Sequence, residues 1–99
     1  MTTIPATHTL KSNYPNPFNQ STIFEYSITG LKLQRVELEI YNILGQKIKT
    51  LVNKKQSGGN YIIQWNGCDD SGQAVASGIY VYQLRVADYS EDKKLVILR

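Results

Sequence analysis

Apolar and polar residues alternate along most of this chain with a period of two. In Ser21–Ile28, Phe24, Tyr26 and Ile28 share one face while Glu25 and Ser27 share the other. Successive side chains of a strand point to opposite faces, so this alternation predicts a half-buried strand. Arg35–Asn42 repeats it more cleanly, with Val36, Leu38 and Ile40 turned inward and Glu37 and Glu39 turned to water. That is the pattern of an antiparallel strand with one wet face. Lys47–Val52 sets lysines between apolar residues, which suits a sheet edge that must not stick to other sheets. Residues 60–66 align Tyr61, Ile63 and Trp65, and residues 78–86 align Tyr80, Tyr82 and Leu84 opposite Ile79, Val81 and Arg85. A shorter extended segment covers about residues 8–13. In the closing run Lys93–Arg99, Leu95 and Ile97 alternate with Val96 and Leu98, so both faces are apolar. Such a strand is expected to be central or covered.

Turn signals separate these runs. Gly30 lies in a turn over residues 29–34, Gly45 in one at Asn42–Gln46, Gly58 and Gly59 in a loop over residues 53–60, and a last turn spans residues 87–92. Trp65–Leu84 reads as hairpin-like: a strand end, a polar loop holding Gly67, Gly72 and Gly78, and a second strand. Tyr14-Pro15-Asn16-Pro17-Phe18-Asn19 cannot be helical, because both prolines push the residue before them into extended backbone. It is predicted to be a rigid loop pinned by Tyr14 and Phe18. No run has the period of an amphipathic helix. About seven short strands at roughly 10–15-residue spacing predict an all-β fold, an immunoglobulin-like antiparallel β-sandwich.

Composition adds limits. The chain has 99 residues, enough for one domain with a core of its own. Its net charge is +3, and the cations are scattered, with pairs only at Lys54-Lys55 and Lys93-Lys94. No run reaches the length of a nucleic-acid-binding arm. Cys68 is the one cysteine, so no internal disulfide forms. No apolar run is long enough for a transmembrane helix, and no signal peptide is visible. Residues 1–8, with Pro5 and a surface His8, read as a linker to something longer, and residues 9–99 as the domain.

Candidate chemistry is sparse. With one histidine in the linker, no Ser/His/Asp or Cys/His set can be assembled, so no catalytic residue is expected and no cofactor is called for. Glu37 and Glu39 read as solvated. Gly58-Gly59 lacks the spacing of a phosphate cradle, and Asn19-Gln20-Ser21 reads as a chance sequon. Asp69 and Asp70 form an oxygen-rich loop and are weak calcium candidates. Calcium needs six to eight oxygens, however, and both residues are expected to hydrogen-bond their own turn instead. Alternating Tyr80 and Tyr82 could stack sugars or bases, but core packing explains the same period. Burying Trp65 should contribute about 3 kcal/mol, and its indole N–H then needs a partner.

Several motifs, in order, carry a resemblance. They are Tyr14-Pro15-Asn16-Pro17-Phe18-Asn19 with Ser21-Thr22, Ile40-Tyr41-Asn42-Ile43-Leu44-Gly45-Gln46, Trp65-Asn66-Gly67 with Asp69 and Gly72, Val75-Ala76-Ser77-Gly78-Ile79-Tyr80, and the terminal Lys93-Lys94-Leu95-Val96-Ile97-Leu98. Together they resemble the type A C-terminal sorting domain of the type IX secretion system over about residues 9–99. The Trp65–Tyr80 segment is also similar to the Ig-like domain of flagellar hook-capping proteins. Gln20, where the family usually has proline, and Cys68, where it more often has a polar residue, depart from the pattern.

The resemblance implies a non-catalytic Ig-like module that directs an N-terminally fused cargo through the outer-membrane translocon. Its implied partners are that translocon and sortase-like processing components, and its implied location is the cell surface or the medium, reached across the periplasm. On this reading Lys93, Lys94, Leu95, Val96, Ile97, Leu98 and Arg99 are the recognition element, read by strand addition at an unpaired edge, with the two lysines steering toward an acidic surface. The same edge would allow a strand-mediated dimer. Two other classes are a structural spacer beside an enzyme and a carbohydrate-binding sandwich using Tyr80, Tyr82 or Tyr89.

Overall fold

A computed structural model describes residues 8–99. The alternating runs form seven strands: β1 (Thr9–Leu10), β2 (Thr22–Ile28), β3 (Gln34–Asn42), β4 (Lys47–Gln56), β5 (Gly59–Trp65), β6 (Gly78–Val86) and β7 (Tyr89–Ile97). They build two antiparallel sheets, a three-stranded one in the order β1-β2-β5 and a four-stranded one in the order β4-β3-β6-β7. Each sheet has one apolar face, and the two faces close on each other as a sandwich. The predicted all-β, immunoglobulin-like architecture is the observed one.

The core holds the residues the alternation placed inward on β2, β3 and β6, together with Leu95 and Ile97 from one of the two apolar faces of the closing run. Phe24, Tyr26 and Ile28 of β2 are buried with Val36, Leu38 and Ile40 of β3, Tyr82 and Leu84 of β6, and Leu95 and Ile97 of β7. Phe24 and Tyr82 meet edge to face across the two sheets, with ring centroids 4.7 Å apart. Trp65 is buried, and its Nε1–H donates to the Cys68 carbonyl at 2.8 Å, the partner its burial demands.

Three connections differ from expectation. Trp65–Leu84 is not a hairpin, because β5 pairs with β2 in one sheet while β6 pairs with β3 and β7 in the other. Its polar loop carries the chain across the sandwich, and a loop of that length does not require its flanking strands to pair. Residues 53–60 are mostly strand: β4 runs to Gln56 and β5 starts at Gly59, leaving Ser57 and Gly58 as the crossing. Polar Asn53, Lys54 and Lys55 sit in the exposed edge strand β4, where ladder bonds to β3 hold them despite low strand propensity. The last turn is only Ala87 and Asp88, and β7 begins at Tyr89.

Two surface assignments also change. Glu39 is 5% exposed, with Arg85 Nη2 at 2.8 Å, the Tyr41 hydroxyl donating at 2.7 Å and Lys47 Nζ at 3.5 Å. Its neighbours in the sheet cover it, so it does not face water as the alternation implied. His8 is half-buried: its ring meets Tyr89 edge to face, and its Nδ1 accepts from the Thr29 amide at 3.0 Å. The rest of the predicted linker, residues 1–7, lies outside the described residues. Among the described residues no helix is long and apolar enough to cross a membrane.

Candidate partner-recognition site

The terminal segment is an edge strand with its end clasped. β7 pairs with β6 along its whole length, Gly78 opposite Ile97 and Tyr80 opposite Leu95. Leu95 and Ile97 point into the core and are fully buried, whereas Lys94 and Leu98 are exposed and Val96 is half-buried on the outer face. Lys93 bends to Glu91, with Nζ 3.5 Å from the carboxylate. Of the predicted recognition element, Leu95 and Ile97 are therefore closed to a partner, whereas Lys94, Val96, Leu98 and Arg99, and in part Lys93, can be read from outside.

The prediction of an unpaired edge fails at the end of β7. The Phe18 amide donates to the Val96 carbonyl at 3.1 Å, and the Leu98 amide donates to the Phe18 carbonyl at 2.9 Å. Asn16 Oδ1 accepts from the Val96 amide at 3.0 Å. The proline loop thus occupies the groups that an added strand or a second copy would need over Val96–Leu98. The two prolines suit this role, because a segment without their two N–H groups can lie along an edge without continuing the sheet. Both X–Pro bonds of the loop are cis. Phe18 anchors it in the core against Trp65, centroids 5.7 Å apart. Tyr14 does not pin the loop with its ring, which is 45% exposed. Its backbone does so through two bonds with Ile23, at 2.9 and 3.1 Å.

A second grip comes from the loop between β5 and β6. Arg99 Nη2 donates to the Gly67 carbonyl at 2.6 Å, Nε donates to the Val75 carbonyl at 2.7 Å, and the Arg99 amide donates to Ser77 Oγ at 2.9 Å. Gly67 has φ +77°, and a Cβ there would lie 2.5 Å from Arg99 Nη2. Glycine is therefore favoured at this position by its backbone, and a side chain there would displace the guanidinium from its bond to the Gly67 carbonyl.

The acidic loop holds itself together. Asp69 Oδ1 accepts from Ser71 Oγ, the Ser71 amide and the Gln73 amide at 2.7, 2.9 and 3.0 Å. These bonds, led by the Ser71 hydroxyl, hold its carboxyl below the usual carboxylate range. Asp70 turns away to the Thr50 amide at 3.2 Å and to Lys49 Nζ at 3.7 Å. The two calcium candidates thus point to different partners, and among the described residues no group of three or more His, Cys, Asp or Glu side chains converges.

All the motif segments meet at one end of the sandwich. The ladders place Thr22, Asn42, Trp65, Gly78 and Ile97 at the same end, opposite the Ala87–Asp88 turn. The proline loop, Gly45 in its turn, Asn66 and Gly67, Asp69, Gly72 and Tyr80 all lie there. Tyr80 is nearly buried, and its hydroxyl donates to the Ala76 carbonyl at 2.7 Å. The Tyr82 hydroxyl accepts from the Asn13 amide at 3.0 Å and donates to the Lys11 carbonyl at 3.1 Å. These rings pack inward, so neither Tyr80 nor Tyr82 offers the exposed stacking face that sugar binding would need. The grips of Ser77 and Val75 on Arg99 were not foreseen from the sequence. The abundance of tyrosine over phenylalanine, seven against two, is instead a signal for the bonded hydroxyls of Tyr80 and Tyr82, since a buried phenol needs a polar partner.

Known structures with a similar fold include two proteins of one bacterium. One is dimeric latent PorU from Porphyromonas gingivalis, at 21% identity and TM-score 0.75, covering 97% of this chain and 10% of that one. The other is PorZ of the same organism, described as an essential bacterial surface component of the type-IX secretion system, at 20% identity and TM-score 0.57, covering 89% of this chain and 11% of that one. The chain thus spans about a tenth of the length of each protein. No curated protein matches. A family model, described as the FlgD Ig-like domain, matches residues 20–92, which take in β2 through β6 and the start of β7. The chain belongs to the FlgD Ig-like domain family.

Proposed function

We propose that this Ig-like module is a non-catalytic sorting domain that directs a cargo fused ahead of Thr9 through the type IX translocon to the cell surface. The observation that carries this reading is the clasp. Residues as far apart in sequence as Asn16, Phe18, Gly67, Val75 and Ser77 all bond the last four residues. An Ig-like module that served only as a spacer would have no need of six such bonds at the end of β7. The fold shared with PorZ, which its description assigns to this secretion system, supports the same reading. The element read by the translocon is then the outer face of the held tail, Lys94, Val96, Leu98 and Arg99, recognised through side chains rather than by strand addition.

The test is to fuse the full chain behind a reporter enzyme in a host with a working type IX system. The reporter should reach the cell surface or medium with the chain and stay in the periplasm without it. Lys94→Glu together with Leu98→Ser should abolish surface delivery while leaving thermal unfolding unchanged, because both side chains are exposed. Retention of the parent fusion in the periplasm would overturn the sorting role. Unchanged delivery of the double variant would overturn the assignment to the tail.

A further inference from the structure

The sandwich has four sheet edges, and three of them are guarded. β1 is two residues long. β4 carries Lys47, Lys49, Lys54 and Lys55, and its ladder with β3 shifts register twice. The end of β7 is occupied by the proline loop, and Lys93 and Lys94 precede it. Short strands, lysines, irregular register and covering loops all keep an edge from pairing with another chain. β5 has none of them. Gly59–Trp65 includes no charge and no proline, and its ladder with β2 runs without a shift. Ile62 at its midpoint is 65% exposed.

The hydrogen bonds of β2 determine which groups this edge offers. Ile23 exchanges both of its backbone bonds with Tyr14, and the Glu25 carbonyl accepts from the Lys11 amide. These residues face the β1 side, so Phe24 and Tyr26 face β5, where they pair with Ile63 and Tyr61. The N–H and C=O groups of Asn60, Ile62 and Gln64 therefore point away from β2, and among the described residues nothing bonds them. The Asn60 and Gln64 side chains are each half used. Asn60 Oδ1 accepts from Ser27 Oγ at 2.6 Å, and Gln64 Nε2 donates to Ser21 Oγ at 3.1 Å. That leaves a donor on Asn60 and an acceptor on Gln64.

Beside β5 the sandwich is open. A cavity of about 260 Å³ lies between the β4 and β5 edges, and its lining includes Tyr26, Leu51, Val52, Tyr61 and Ile63. Lys54 is the one charged group in its wall, and among the described residues it has no carboxylate partner. Asp70 is taken by Lys49, and Glu25 lies one strand in, opposite Ile62.

We propose that β5 pairs antiparallel with β5 of a second copy of this chain, with the two-fold axis at Ile62. This register sets Ile62 opposite its own copy and Asn60 opposite Gln64 at both ends. All the outward-facing residues of the strand then form hydrogen-bonded pairs, two backbone bonds to each pair. The donor on Asn60 meets the acceptor on Gln64 of the second copy. Tyr61 and Ile63 of each copy come alongside the open cavity of the other, because inward side chains recur at every second residue. A slip of one residue would set outward-facing groups against groups already bonded to β2. Lys54 alone opposes the pairing, since the two-fold puts both lysines on the same side of the junction. The two Glu25 carboxylates stand three strand spacings apart, roughly 14 Å, beyond the screening length of about 8 Å at physiological salt. One strand edge buries less than the roughly 1,200 Å² of a stable interface, so the dimer is a weak one.

Such pairing needs no translocon, and the purified full chain tests it. Sedimentation from about 10 μM to about 1 mM chain should show a monomer–dimer equilibrium, the range of a small interface. Ile62→Lys puts like charges opposite each other at the centre of the junction. It should weaken association at least tenfold and leave the melting temperature unchanged, because the side chain is exposed. Added salt and Lys54→Gln should each strengthen association. In a Cys68→Ser background, Ile62→Cys should give a disulfide-linked dimer under mild oxidation, since Cα atoms of a hydrogen-bonded pair lie about 5.5 Å apart. Ile43→Cys, also exposed but away from β5, should cross-link at least tenfold more slowly. A chain that stays monomeric at about 1 mM, association that survives Ile62→Lys, or equal cross-linking from positions 62 and 43 would overturn the proposal. Association that salt weakens would show Lys54 meeting a carboxylate and would overturn this register. A photo-crosslinking residue at position 62 that joined a monomeric chain to a different protein in the host would assign the edge to a foreign strand and overturn the choice of partner.

Discussion

Tyr89 and Glu91 show how single side chains set the pH range in which the domain is stable. The Tyr89 hydroxyl donates to the Glu91 carboxylate, which also accepts from the Leu10 amide at 3.3 Å. Burial, followed by the Glu91 carboxylate, pushes the Tyr89 phenol up to about 12. A raised phenol favours the folded state fully below the ordinary value of 10.0, and that contribution is lost as pH climbs toward about 12. Glu91 moves the other way. The Tyr89 hydrogen bond leads the causes that hold its carboxyl below the ordinary 4.5. Its contribution is present above that value and is lost as pH falls through the folded-state value. Tyr89→Phe should therefore do two things. It should remove from an ultraviolet pH scan a phenol that titrates well above 10.0, and it should make urea midpoints less sensitive to pH at both extremes. Unchanged midpoints across both ranges would show that the pair does not couple β7 to the β1 segment.

The β6–β7 hairpin carries a local misfit at the element scale. Its two-residue turn begins at Ala87 with φ +52°, where a Cβ crowds the backbone. Glycine relieves about 1–2 kcal/mol of that crowding and gives back about 0.5–1 kcal/mol in chain entropy. Ala87→Gly should thus stabilise the domain by up to about 1 kcal/mol, raising the melting temperature by roughly 4–8 °C. A lower melting temperature would mean that the Ala87 side chain contributes contacts worth more than the strain. This turn also shows where sequence reading of elements runs out. Period-two alternation placed Phe24, Leu38 and Tyr82 in the core directly, because burial acts on every second residue, but it left both faces of the closing run apolar and did not single out Leu95. The alternation could not find the start of β7, since Tyr89–Asp92 is polar enough to read as loop and is held in a strand by β6. For the same reason β4 continues through Asn53, Lys54 and Lys55. Nor could local sequence tell a hairpin from a crossing between sheets after Trp65, because that choice depends on which strands pair far along the chain.

The clasp is a property of the whole molecule, and its pieces were legible while their meeting was not. The sequence marks the proline loop, Gly67 and the terminal segment as separate motifs. Only the fold brings Phe18, Gly67 and Arg99 to one end. A pair of glycine substitutions isolates this effect. Gly72 has φ +89° with nothing within 4 Å of an added Cβ, whereas Gly67 has φ +77° with Arg99 Nη2 2.5 Å away. Both alanine variants incur the backbone cost of a left-handed residue, about 1–2 kcal/mol. Gly67→Ala must also expel the Arg99 guanidinium from the Gly67 carbonyl and disturb its bond to Val75. Charge-assisted bonds of this type contribute about 1.5–3 kcal/mol when shielded, and less at a half-exposed site. Gly67→Ala should therefore be less stable than Gly72→Ala by about 1 kcal/mol in urea unfolding. Amide exchange at Val96 and Leu98 should quicken only in the Gly67 variant, because the proline loop and Arg99 hold the two sides of the same tail. If the variants proved equal in stability and in exchange at those amides, Arg99 would be an exposed side chain resting on the loop, and the tail would be held by Phe18 and Asn16 alone.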